Sequence, residues 1–106
     1  MSNNDCKEVW ENEEESLSEV TDVSTFLSEG VLEIKRVQTL SNGWITDSYI
    51  LVLGIGGPHV EINTSTGLLS VFWWSDTYES RTYDSKVVSL LEVVEEYLNE
   101  IYESDQ

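Results

Sequence analysis

Glu92, Glu96 and Glu100 recur every four residues and are the first candidates for chemistry in this sequence. On a helix that spacing stacks three carboxylates along one face, each about 6 Å above the last. Like charges so placed destabilise a helix by roughly a few tenths of a kcal/mol per pair. The row has two readings. It is a solvated face, or it is a set of carboxylates spaced like backbone phosphates and offered to a basic surface. Catalysis fits it poorly, because a general acid–base pair needs a positioned partner and none is legible. Metal binding fits no better: paired histidines and an inward-facing geometry are missing. Glu95 and Glu103 belong to the same C-terminal acidic group, and Glu11, Glu14 and Glu15 form a second one near the start.

The remaining reactive residue types are few. His59 is the single histidine, with no nucleophile or orienting acid at a recognisable spacing, so a strand residue on a polar side is the reading. The corner Gly54-Ile-Gly-Gly-Pro58 has phosphate-loop composition. A phosphate cradle would need a helix N-terminus next, whereas Pro58 and an apparent strand follow. We therefore expect Gly56 and Gly57 to serve a tight backbone corner. Cys6 sits among acids that disfavour its thiolate. One cysteine excludes an internal disulfide and a cysteine-based zinc site. No catalytic residue, metal site or cofactor is expected.

The elements that position these residues can be read from periodicity. Cys6, Val9, Trp10, Leu17, Val20, Val23 and Leu27 keep a roughly helical spacing. Ser16-Leu-Ser-Glu19 matches a capping box, so a firm helix is expected over 16–29, a weaker one before it, and Met1 to Asn4 frayed. Gly30 is expected in the left-handed position that ends the helix. Val31 to Leu40 and Trp44 to Leu53 flank Asn42-Gly43, a strong hairpin signal because both residues tolerate positive φ. The unbroken apolar run Tyr49–Leu53 suggests a strand covered on both faces. Val60 and Ile62 mark a third strand, and Leu69, Val71 and Trp73 a fourth, beyond a turn at 64–67. In that fourth strand Trp73 and Trp74 must point to opposite sides. Ser75 to Asp84 reads as a polar loop. Asp84 or Ser85 then caps a helix over about 86–102, with Val87, Leu90, Leu91, Val94, Tyr97, Leu98 and Ile101 inward. The predicted fold is α+β: a single domain over 1–106, with an acidic segment at 1–15. A roughly four-stranded antiparallel sheet is flanked by N- and C-terminal helices in the order α-β-β-β-β-α.

Composition bounds the function. The 106 residues carry 40% hydrophobic side chains, including four Trp and five Tyr, enough for a core. No basic segment precedes an apolar run, and no stretch is long and apolar enough to span a bilayer, so a cytoplasmic protein is expected. The net charge is −16, and it is uneven: residues 1–30 hold −8, residues 31–83 hold −2 and residues 84–106 hold −6. Such a field repels nucleic acid and anionic membrane and draws basic surfaces with fast, salt-sensitive association. The expected partner is thus a basic protein surface, with no direct nucleic acid and no membrane, for a monomer or homodimer. A halophile's acidity would spread over strands and loops as well.

The run Gly56-Gly57-Pro58-His59-Val60-Glu61-Ile62, then Gly67 and Phe72-Trp73-Trp74, with Glu95-Glu96-Tyr97-Leu98 near the end, resembles small uncharacterised proteins of plasmids, phages and other mobile elements. It covers roughly residues 44–103 and implies no chemistry. More loosely, size and acidity are similar to anti-restriction and anti-CRISPR inhibitors, some of which mimic DNA. That likeness implies a non-enzymatic inhibitor that fills a basic nucleic-acid groove of a host defence complex. Its contact residues would be Glu11, Glu14, Glu15, Glu92, Glu95, Glu96, Glu100 and Glu103, with Trp74 and Tyr78 beside them. The alternative is an immunity protein or adaptor that binds a basic partner through the Trp/Tyr patch; an enzyme is the third class.

Overall fold

The structure, a computed structural model, describes residues 4–104. The first three residues, expected to fray, and the side chain of Glu103 lie outside the described residues. The element order is α1 (Asn4–Ser18), α2 (Val23–Thr25) running into a π-type turn (Phe26–Gly30), β1 (Glu33–Leu40), β2 (Trp44–Gly54), β3 (His59–Asn63), β4 (Leu68–Trp73), β5 (Asp76–Arg81) and α3 (Ser85–Ser104). The strands form one antiparallel meander in the order β1-β2-β3-β4-β5. The α+β class and the flanking helices are as expected, with five strands in place of about four. The segment read as a polar loop is the fifth strand, paired to β4 from Leu68↔Arg81 to Trp73↔Asp76.

Strand periodicity decides where the core sits. The register aligns Leu51, Ile62 and Leu69 across β2, β3 and β4, and places Val60 opposite Val71. These residues share one sheet face and one buried cluster with Cys6, Trp10 and Leu17 of α1 and Val87, Leu91, Val94 and Leu98 of α3. Both helices therefore cover the same face. The run Tyr49–Leu53 is covered on both sides only in part: Tyr49 and Leu51 lie under the helices, while Val52 is buried on the helix-free face between Glu33 and Glu61. The apolar stems of such charged neighbours can shield a small side chain.

The first helical region differs from expectation. The helix begins at Asn4 and ends at Ser18, and Ser16 caps nothing; its carbonyl accepts from the Glu19 N–H at 3.2 Å. Burial of Cys6, Trp10 and Leu17 outweighs the like-charge cost of the acidic run. The Trp10 indole N–H fixes the packing by donating to the Leu69 carbonyl at 2.8 Å and to the Ser80 carbonyl at 3.3 Å. A fresh start follows at Asp22, whose carboxylate accepts from the Thr25 N–H at 3.2 Å. Gly30 is not among the described glycines at positive φ, so no left-handed residue ends this segment.

The turns behave largely as read. Asn42 and Gly43 adopt φ of 56° and 119°. Gly67 has φ of 73° and closes a turn in which the Asn63 side chain accepts from the N–H groups of Ser65 and Thr66. Asp84 caps α3 by accepting from the N–H groups of Lys86 and Val87. The far end of α3 is tied to the sheet. The Tyr49 hydroxyl donates to Asn99 at 2.6 Å, Tyr102 stacks on Tyr49, and the Arg36 guanidinium lies 4.8 Å from the Tyr102 ring centre. Tyr97 and Ile101, expected in the buried stripe, stay partly exposed on its flank.

Candidate interaction surface

Six carboxylates project from the outside of the helical layer. The buried row of α1 leaves Glu8, Glu11 and Glu15 on its exposed side, and the buried row of α3 does the same for Glu92, Glu96 and Glu100. Because α1 and α3 touch each other and cover the same sheet face, all six lie on one side of the molecule. Among the described residues, none of the six is paired with a Lys or Arg; the salt bridge there joins His59 and Glu61, 3.0 Å apart. Glu8 was not singled out from the sequence. Its signal was the spacing 8, 11, 15, which follows one helical ridge.

Two predicted contact residues have other work. Glu95 is half-buried, and its carboxylate accepts from the Thr64 and Ser65 hydroxyls at 2.9 and 3.0 Å. Thr64 Oγ1 in turn accepts from the Tyr49 N–H at 3.1 Å, so Glu95 ties α3 to the β3–β4 turn and to β2. Glu14, also half-buried, accepts from the Thr82 hydroxyl at 2.6 Å and joins α1 to the β5–α3 connection. Charge-assisted bonds of this kind hold structure. Beside it, burial pushes the Glu13 carboxyl above the ordinary carboxylate range.

The two aromatic candidates separate. Tyr78 turns inward because β5 alternates, and it packs edge-on against Trp10 with ring centres 6.0 Å apart. It is half-buried and belongs to the helix–sheet seam. Trp74 forms the β4–β5 turn with Ser75, is 88% exposed and has a φ of 60°. A left-handed non-glycine residue costs about 1–2 kcal/mol. Strain of this sort persists only where the surroundings or a function require it. Its neighbour Trp73 packs against the core and lines a shallow cleft with Asp5, Glu8, Val9 and Asn12 of α1.

The remaining sequence candidates fall elsewhere. His59 lies on the helix-free face, bonded to Glu61 and tilted against Phe72. Cys6 is buried in the core. The glycine corner is not the tight packing expected. A Cβ on Gly57 would meet nothing within 4 Å, and Gly57 is not among the residues at positive φ. The backbone requirement falls on Gly56, at φ 104°, and on Gly54, whose Cβ would lie 3.2 Å from the Pro58 carbonyl.

No group of three or more His, Cys, Asp or Glu among the described residues could hold a metal ion, and no described helix is long and apolar enough to cross a membrane. Comparison with protein-family models, with curated proteins and with solved structures found no match.

Proposed function

We propose that this chain is a non-enzymatic acidic inhibitor that occupies a basic, nucleic-acid-binding groove on a partner protein, with host defence or nucleic-acid-processing complexes as the partner class. The observation that supports this most is the one-sided set of Glu8, Glu11, Glu15, Glu92, Glu96 and Glu100, exposed and without Lys or Arg partners among the described residues. The acids there outnumber the cations, which are Lys7 of α1, Lys86 of α3, Arg36 against Tyr102 and Arg81 at a cleft it shares with Glu92; Lys35 is exposed on the helix-free face. Cations of the partner would replace their phosphate contacts with carboxylates, and association would be fast and salt-sensitive. Trp74, exposed on the β4–β5 turn, would supply the apolar anchor that charge alone lacks.

The exposure and backbone strain of Trp74 favour a second reading, an immunity or adaptor module that binds mainly through that turn. Capture from host lysate followed by a salt gradient and nucleic-acid competition separates the two. The first reading expects the partner to elute with rising salt and to be displaced by duplex DNA or RNA, while the protein itself binds neither. Retention in high salt, lost only on Trp74→Ala, would establish the second reading in its place.

A further inference from the structure

Alongside the carboxylate row of α3 runs a row of the opposite character. Val93, Tyr97 and Ile101 are 48%, 42% and 42% exposed and recur every four residues, one position after Glu92, Glu96 and Glu100. One residue is about 100° around a helix, so the two rows lie side by side along its length. The apolar row leads into a cleft of about 680 Å³ between α3 and the segment joining α1 to α2, floored by Val20, Val23, Leu90 and Val93. The far wall carries Glu19, with Asp22 and Glu29 on the adjoining surface. The result is an apolar channel that is walled at its Val93 end and open along Tyr97 and Ile101, with Glu92, Glu96 and Glu100 beside it, Glu19 across the cleft and Lys86 as the cation in the cleft lining.

We propose that this channel receives an amphipathic, basic helix of the partner protein. Its apolar side would lie on Val93, Tyr97 and Ile101 and reach into the cleft, and its lysines and arginines would meet Glu19 on one rim and Glu92, Glu96 and Glu100 on the other. This is the helix-in-groove mode, read through anchors at helical spacing. Charge decides between occupants. A second copy of this chain would bring acid rim against acid rim, and an anionic lipid surface would be repelled. A purely polar basic strand would satisfy the rims and leave the apolar row in water.

The inference rests on the reading that the carboxylate face binds a basic protein, and its test keeps the two apart. The probes are a synthetic helical peptide with leucines on one face and lysines on the other, a scrambled peptide of equal composition, and an oligolysine. Fluorescence anisotropy should show the amphipathic peptide binding at least tenfold more tightly than the scrambled one. The preference should persist at about 0.5 M salt, where exposed charges are largely screened. Amide shifts in the parent protein should centre on Leu90, Val93, Tyr97 and Ile101. Val93→Asn with Tyr97→Asn should remove the preference and leave the salt-dependent binding of oligolysine unchanged. Equal binding of ordered and scrambled peptides, or shifts confined to Glu8, Glu11 and Glu15, overturns the channel while the carboxylate reading stands. If oligolysine binds with no salt dependence, or Glu92, Glu96 and Glu100→Gln leaves its binding unaltered, the broader reading fails first.

Discussion

Glu13 shows how closely the acids of one helix can differ in role. It is half-buried on the inner side of α1, and burial raises its pKa. A carboxyl whose folded pKa lies above its unfolded one supports folding when protonated, and that support is lost as pH rises through the folded value. Glu13→Gln should therefore raise the melting temperature at about pH 7 and change it little at about pH 3, below the ordinary carboxylate range. Equal shifts at both pH values would mean that burial is not what governs this group. The glycine corner gives a second residue-scale test. Gly56→Ala forces a side chain into φ of 104° and should cost about 1 kcal/mol or more. Gly57→Ala meets open space and should be near neutral. Chemical denaturation of the two variants reads the difference, and equal losses would contradict the conformations assigned here. Nothing in the residue types Gly56-Gly57 says which of the two bears the constraint; that depends on the path of the chain between β2 and β3.

Elements were legible in proportion to the length and regularity of their apolar pattern. The 20 residues of α3 show their buried row plainly, down to the Asp84 cap. The first hairpin was announced by Asn42-Gly43. By contrast, β5 presents only Tyr78 as a large inward side chain, and its outward Thr77, Glu79 and Arg81 look like loop composition. An edge strand with one neighbour needs little more than alternation, and alternation was the available signal. The break between α1 and α2 was hidden because Leu17, Val20, Val23 and Leu27 keep helical spacing across it. Asp22, a good cap, is the residue that marks the new start. The tie between α3 and the sheet centres on Leu98, which is buried beside Asn99 and its bond to Tyr49. Leu98→Ala should cost about 2–5 kcal/mol. A variant with the parent's unfolding midpoint would mean that α3 does not pack as described.

At the scale of the whole molecule, the two acidic ends of the chain converge. Residues 1–30 and 84–106 hold 14 of the 16 net negative charges, and folding brings their helices onto the same side of the sheet. The sequence shows that the charge is uneven along the chain. It does not show that Glu14 and Glu95 turn inward to Thr82 and Thr64, because both bonds span long separations. Nor does it show that Tyr78 belongs to the Trp10 seam. The exposed set is therefore narrower than the acidic composition implies, and it is the part that can meet a partner. Glu92, Glu96 and Glu100 are the right members to change, since glutamine keeps their size and helix propensity and relieves repulsion along α3. The most direct measurement is the association rate and affinity of this triple variant for the partner recovered by salt elution, taken across a salt series. The triple variant should be at least as stable as the parent, with association slowed by on the order of tenfold and a shallower dependence on salt. Undiminished affinity with an unchanged salt slope would contradict it.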